Sequence, residues 1–376
     1  MTLGEPELAM QLVNEALDLE PVNIDLLMWA GRLSVAQNDD ELALEYFERA
    51  HQAEPGNRDV TLRYAELLKR NDRYAEAQEL LGTLDQTAEI VFSRVVYAVE
   101  AEDEEFATGL FQDLQQRPLP ADDPDHAFFT AQTADILRLS VAAVQWYQLV
   151  PEGEHWLRAR LRLAVLLTEI DGVEAGRQSL SALKIDQRGE VVEQGFLAES
   201  QLLLQAGEMD AAIQSLTMGL SRLQNSSGLY YSRALLYMRQ QRLADAEADL
   251  RNVIQLNPEH ADALNTLGYT LADLTDRHEE ALVLIQRALV LRPNDAAIID
   301  SMGWVLFRLG KLERAQDYLE QALTLSNNAE IAAHLGEVLW KSGQQDQALL
   351  VMEDARRNNP DHPVLIDTLQ RLGITP

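Results

Sequence analysis

The chain of 376 residues contains no cysteine. That excludes disulfides, thiolate metal sites and a cysteine nucleophile, and leaves either redox compartment open. No apolar run approaches the roughly 18 residues of a membrane-crossing helix, and Met1 is followed by neither a basic nor an apolar leader region. Aromatic residues are scarce, 6% of the chain against 47% hydrophobic residues in all, the balance expected of helices packed through Ala and Leu. Bases are scarce too, 31 against 61 acids, for a net charge of -30. Phosphates would be repelled over most of such a surface, which excludes nucleic acid as a partner and favours a neutral or basic one. Solubility of an elongated surface is the simpler reading of the same charge. The acids gather between Asp85 and Asp125, where eleven stand with only Arg94 and Arg117, making this segment the strongest electrostatic footprint.

Catalytic patterns are missing as well. His278-Glu-Glu-Ala-Leu lacks the second histidine of a zinc hydrolase, and the other six histidines are scattered. No phosphate-cradling glycine loop and no Gly-x-Ser-x-Gly elbow is present. Paired carboxylates carry no specificity in so acidic a chain. The expectation is a protein that is not an enzyme, with no catalytic residue, cofactor or metal.

What the chain has is a period. Leu264, Leu267, Gly268, Leu271, Ala281, Ile285, Ala288 and Pro293 form a frame of small and apolar residues, and its types return at Ile299, Met302, Gly303, Leu306, Ala315, Leu319 and Ala322. The spacing is about 34 residues, the period of a tetratricopeptide repeat, in which stacked helix pairs bury their cores against neighbours and expose long grooves. The frame fits Tyr230 to Pro258 before it and Leu335 to Pro360 after it. It fits again at Leu27, Ala30, Gly31, Ala43, Phe47, Ala50 and Pro55, then more loosely from Tyr64 to Leu84. Between 85 and 224 only the four-then-three spacing of a second helix persists: Ala107, Phe111, Leu114; Ala143, Tyr147, Val150; Ala175, Ser179, Ala182; Ala212, Leu216, Gly219.

The expected architecture is all-α: a right-handed superhelix of antiparallel helix pairs, about ten and a half repeats, closed by a C-terminal capping helix around Val364, Ile366 and Leu369. Its parts are a truncated half repeat at 1–22, regular repeats at 23–84, divergent repeats at 85–224, regular repeats at 225–360, and the cap with its tail at 361–376. Ala9, Val13 and Ala16 match only the second half of a repeat, so the chain is expected to start mid-repeat, with any signal sequence or lipidation site upstream. The proline-rich stretch from Arg117 to Asp125 reads as a long inter-repeat loop, with a flexible elbow as the alternative.

On each first helix, positions that the packing frame leaves free turn toward the concave face. They are Tyr231, Leu235 and Met238; Asn265, Tyr269 and Ala272; Asp300, Trp304, Phe307 and Arg308; Ala333, Glu337, Trp340 and Lys341. The protein-binding candidates among them are Tyr231, Asn265, Tyr269, Asp300, Trp304, Phe307, Arg308, Glu337 and Trp340. Aromatics on a groove are typical binding hot spots; the alternative for Trp304, Phe307 and Trp340 is packing against the adjacent repeat. A clamp for a terminal carboxylate is not expected at Asn265, Asp300, Arg308, Glu337 and Lys341, because Asp300 and Glu337 would repel it.

The repeats resemble the tetratricopeptide family across nearly the whole chain. The run Asn265 to Ala281, with one residue inserted in its helix-to-helix turn, followed by Asp300 to Gly310, is similar to the proteobacterial outer-membrane tetratricopeptide lipoproteins that serve as adaptors of carboxyl-terminal processing proteases. This resemblance implies an adaptor that binds and activates such a protease in the periplasm and presents peptidoglycan hydrolases to it, held at the outer membrane by an N-terminal lipid. The lipobox cysteine is absent, as expected of a trimmed N-terminus. A cytoplasmic scaffold or regulator that binds peptide segments of an unrelated complex fits the period and charge equally.

Overall fold

The computed structural model describes residues 6–118 and 123–374, and among these residues it contains 23 helices and no strand. Helix α1 (Pro6–Leu19) precedes ten helix pairs. In the first of two compact units, Met1–Ser181, the pairs are α2 (Ile24–Ala36) with α3 (Asp40–Ala53), α4 (Arg58–Arg70) with α5 (Tyr74–Gly82), α6 (Ala88–Glu100) with α7 (Glu104–Gln115), α8 (His126–Ile136) with α9 (Ser140–Leu149), and α10 (Trp156–Asp171) with α11 (Val173–Ser179). Short α12 (Ser181–Lys184) leads to the second unit, Ala182–Pro376. Its pairs are α13 (Gly189–Gln205) with α14 (Met209–Arg222), α15 (Ser227–Arg239) with α16 (Leu243–Leu256), α17 (Ala261–Leu274) with α18 (His278–Leu291), α19 (Ala296–Arg308) with α20 (Leu312–Leu325), and α21 (Ala329–Lys341) with α22 (Gln345–Asn358). Helix α23 (Pro363–Arg371) follows.

One spacing organises every pair. A small residue on the first helix is buried, and sixteen positions later a large one on the second helix is buried as well. The first helices contribute Gly31, Ala65, Ala131, Ala164, Ser200, Ala234, Gly303 and Gly336; the second contribute Phe47, Leu81, Tyr147, Leu216, Leu250, Leu319 and Met352, with Leu180 at the C-cap of α11. Val95 with Phe111 keeps the spacing with a larger first member, and Gly268 with Ile285 stretches it by one residue. The small residue is required where the helices touch. A Cβ on Gly303 would lie 2.5 Å from Leu319 Cγ and 3.1 Å from the Ala315 carbonyl, and one on Gly268 would lie 2.5 Å from Ile285 Cγ1.

Caps set the ends of the helices. Side-chain oxygens of Asn23, Asn57, Thr87, Ser226, Asp295 and Asn328 accept backbone N–H groups at the starts of first helices, bonds worth about 1 kcal/mol apiece. Eight of the ten turns inside pairs pass through a left-handed residue: Asn38, Asp72, Glu102, Arg138, Gly207, Gln241, Gly310 or Gly343. The α10–α11 link uses Gly172 at φ 91°. The inserted residue between α17 and α18 replaces the left-handed turn with extended Thr275 (φ -143°, ψ 175°).

Hydrogen bonds join neighbouring repeats at intervals of about one period. Within the first unit Tyr46 Oη donates to Asn14 Oδ1 (2.7 Å) and Tyr97 Oη to Glu66 Oε2 (2.9 Å). Within the second, Arg277 pairs with Glu247 (2.9 Å), Arg292 with Asp262, and Arg371 with Glu337 (2.9 Å).

Two expected registers shift. In the fifth pair Gly176, Leu180 and Leu183 are buried while Ala175 and Ser179 are half-buried and Ala182 is exposed, so the stripe runs one residue later than Ala175, Ser179, Ala182. Two leucines bury more apolar area than a serine and an alanine, and α11 ends at Ser179, whose hydroxyl bonds back to the Gly176 carbonyl (2.7 Å). In α23 the fully covered residues are Leu365, Thr368 and Leu369, whereas Val364 and Ile366 are half-buried. Of the proline-rich stretch, residues 119–122 lie outside the described residues.

Replacing Gly303 with alanine forces Leu319 or the helix backbone to move. The expected cost is about 2 kcal/mol, read as a lowered urea midpoint with unchanged helical circular dichroism.

Candidate protein-binding face

In the second unit the core stripes of α17, α19 and α21 face their paired helices, so the remaining faces of these first helices meet one another. The structure draws five of the candidate residues, Tyr269, Asp300, Trp304, Phe307 and Arg308, into one network. The Asp300 carboxylate accepts from His334 Nδ1 at 2.9 and 3.1 Å. The Trp304 ring stacks on His334 (4.2 Å between centroids, 23° between planes) and has Phe307 beside it at 5.1 Å. Trp304 Nε1 donates to Asp273 Oδ1 (3.1 Å), and Arg308 Nη1 donates to the Asp273 carbonyl (2.8 Å). Tyr269 Oη reaches past the adjacent repeat to donate to Glu330 Oε1 (3.2 Å).

This network changes what the aromatics do. Trp304 is only 4% exposed, so it is not a free hot spot in a groove; it packs against the next repeat, which offers a flat imidazole, while the preceding repeat offers an acceptor for the indole N–H. Asp300 and Glu337 are buried too. The other candidates have separate surroundings. Tyr231 lies against His260 (4.9 Å), and Glu337 accepts from Arg371 Nη1 (2.9 Å). Trp340 is half-buried, as is Asn265, whose Oδ1 is covered without a hydrogen-bond donor. Sequence reasoning passed over His334, Asp273 and Glu330. The signal for His334 was its separation of 34 residues from Asp300, one repeat.

Burial works against a charged His334, but Asp300, helped by Glu330 and Asp273, outweighs it and holds the imidazole pKa above its ordinary value. Burial, then Glu330, Asp273 and Asp300, push the Tyr269 phenol far up, so it remains a neutral donor.

In the first unit the same positions produce an open site. Counted from the small residues Gly31 and Ala65, the free positions of α2 and α4 hold Arg32, Val35, Leu62, Glu66 and Arg70. With Phe47, Asp59, Arg63 and Leu67 they line a groove of about 590 Å³. Arg63 Nε approaches both oxygens of Asp59 (3.1 and 3.2 Å), and Arg32 lies 3.7 Å from the same carboxylate. Arg70 pairs with Asp40 (3.1 Å) and Glu66 with Lys69 (3.5 Å). The offsets that select Tyr269 and Trp304 also select Arg32 and Glu66, so this groove was within reach of the sequence. Part of the acidic segment also shapes a cavity: Asp85, Glu89, Asp123 and Asp125, with Arg58 and Phe129, line about 450 Å³. The Arg58 guanidinium pairs with Glu89.

Profiles of the tetratricopeptide repeat match residues 36–89 and 306–372 in one version and 1–58 and 231–296 in another. The chain is a tetratricopeptide repeat protein. Over 210 residues, 56% of this chain and 35% of the relative, it is 39% identical to the TPR repeat-containing protein PA4667 of Pseudomonas aeruginosa. Over 169 residues, 43% of this chain and 20% of the relative, it is 30% identical to human Tetratricopeptide repeat protein 7A. The chain thus spans about a third or less of each of these relatives. Among solved structures, the APC/C hetero-tetramer Cut9-Hcn1 aligns over 98% of this chain and 93% of that one, at 14% identity and a TM-score of 0.47. Tetratricopeptide repeat proteins are generally non-catalytic scaffolds, and the repeats of this chain are of the kind that mediates protein–protein contacts.

Two outcomes follow for its second unit. A histidine whose folded pKa is raised stabilises fully below the ordinary value of 6.5, and the contribution disappears as pH rises through the raised value. The urea midpoint of the tetratricopeptide chain falls over that window, and the double variant Asp300→Asn with His334→Gln loses this part of the slope. Trp304→Ala empties a packed site and costs about 3 kcal/mol of stability in the same measurement.

Proposed function

We propose that the chain is a non-enzymatic adaptor that binds and activates a periplasmic carboxyl-terminal processing protease and presents peptidoglycan hydrolases to it. In this reading its native form is an outer-membrane lipoprotein. The observation that carries the reading is the stretch from Asn265 to Ala281 with its inserted turn residue, continued by Asp300 to Gly310. The insertion is structurally distinct, an extended Thr275 where eight other pairs place a left-handed residue. The scaffold supplies the rest of the support, because holding two partners on one molecule raises their effective concentration without any new chemistry.

The test mixes the purified chain with a carboxyl-terminal processing protease and a peptidoglycan hydrolase from the same organism. Hydrolase cleavage is expected to speed up by about tenfold or more, as tethering permits; an unchanged rate overturns the reading. Fractionation of cells carrying the full gene, with the product expected in the outer membrane, checks the location separately.

A further inference from the structure

We propose that the groove between α2 and α4 docks an acidic, apolar segment of a protein partner, with leucine-like side chains on its floor and carboxylates against its arginines. The inference rests on the scaffold reading above and names the chemistry of one of its partners.

The argument begins with why this groove is open. In the second unit, the residue after the small core position of α19 is Trp304, and the residue two before that of α21 is His334; the pair stacks and fills the space between consecutive first helices. The corresponding residues of α2 and α4 are Arg32 and Arg63. Two guanidiniums cannot replace a tryptophan stacked on a histidine, because like charges repel. Instead both lean on Asp59, which corresponds to Glu330, and leave Val35 and Leu62 partly uncovered beneath them. Phe47 and Leu67 form the buried part of that floor, Val35 and Leu62 the half-buried part.

Charge then selects the occupant. One carboxylate serves Arg32 and Arg63 together, so that pair of cations carries one uncompensated positive charge. Arg70 is neutralised by Asp40 (3.1 Å) and Glu66 by Lys69 (3.5 Å), so the excess positive charge rests on Arg32 and Arg63. This is a positive site in a chain whose acids outnumber its bases 61 to 31, and its arginines stay about half exposed, ready to pair with a carboxylate in either one- or two-oxygen geometry. The general negative field of the chain is screened beyond roughly 8 Å at physiological salt, so contact charges decide what binds here.

The experiment uses three fluorescein-labelled dodecapeptides with blocked ends: alternating Leu and Glu, alternating Leu and Lys, and alternating Ser and Glu. Anisotropy is read against the full chain at 0.15 M salt. The Leu–Glu peptide is expected to bind, with both others weaker by about tenfold or more. Arg32→Glu with Arg63→Glu should weaken it to a similar extent, and Leu62→Asp should do the same from the floor. Lys341→Glu, on an exposed position of the second unit, should leave affinity unchanged. Circular dichroism and the urea midpoint establish that each variant is folded. Equal or tighter binding of the Leu–Lys peptide overturns the proposal, as does unchanged affinity in the folded double variant.

The same double variant enters the protease assay. Loss of stimulation together with loss of peptide binding supports the groove as the partner's dock. Stimulation that survives in the double variant overturns the groove as a dock and leaves the adaptor reading standing. Peptide binding by a chain that never stimulates the protease overturns the adaptor reading and leaves the groove standing. Concentration-dependent self-association abolished by the double variant would assign the groove to a second copy instead and overturn the partner segment.

Discussion

Each repeat depends on the close approach of two helices at a residue with almost no side chain. Where Gly31, Gly268, Gly303 and Gly336 meet Phe47, Ile285, Leu319 and Met352, no room is left for a Cβ, and alanine or serine takes the position in most other pairs. That approach fixes the rotation of the first helix about its own axis. Once it is fixed, the faces that meet the neighbouring repeats are fixed with it, and so are the few positions that remain. The capping bonds and the left-handed turns serve this geometry by ending the helices where the approach requires.

What occupies the remaining positions then determines whether a repeat binds partners or binds its neighbour. In α19 and α21 these positions hold a tryptophan and a histidine, and the space closes into a buried network around Asp300. In α2 and α4 they hold two arginines, and the space stays open above an apolar floor. The backbone frame is the same in both places. A scaffold of this kind can therefore place a recognition site in one pair of repeats and a strut in another without altering its architecture.

The paired helices and their number were legible because the frame is carried by residue size, which a sequence records directly. The middle repeats were legible in periodicity but not in register. Ala175, Ser179 and Ala182 imitate the small positions of the frame, and only the sixteen-residue step from Ala164 to Leu180 shows that the stripe runs one place later. The candidate face was legible as a set of positions, and the fate of each side chain was not. Whether Trp304 stands free depends on His334 in the following repeat and Asp273 in the preceding one, and the offsets of a single repeat contain neither. The open groove escaped for a different reason. The same offsets name Arg32 and Glu66, but attention to aromatic residues led toward the C-terminal repeats.

The bond from Tyr269 to Glu330 spans 61 residues and passes over an entire repeat. Repeat arrays ordinarily behave like a row of dominoes in which each tile touches only the next, so their stability is a sum of adjacent couplings. Here the first tile of three grips the third. The helices from α17 to α21 are thereby coupled beyond nearest neighbours, and fraying that enters from α23 must also break a contact two repeats away.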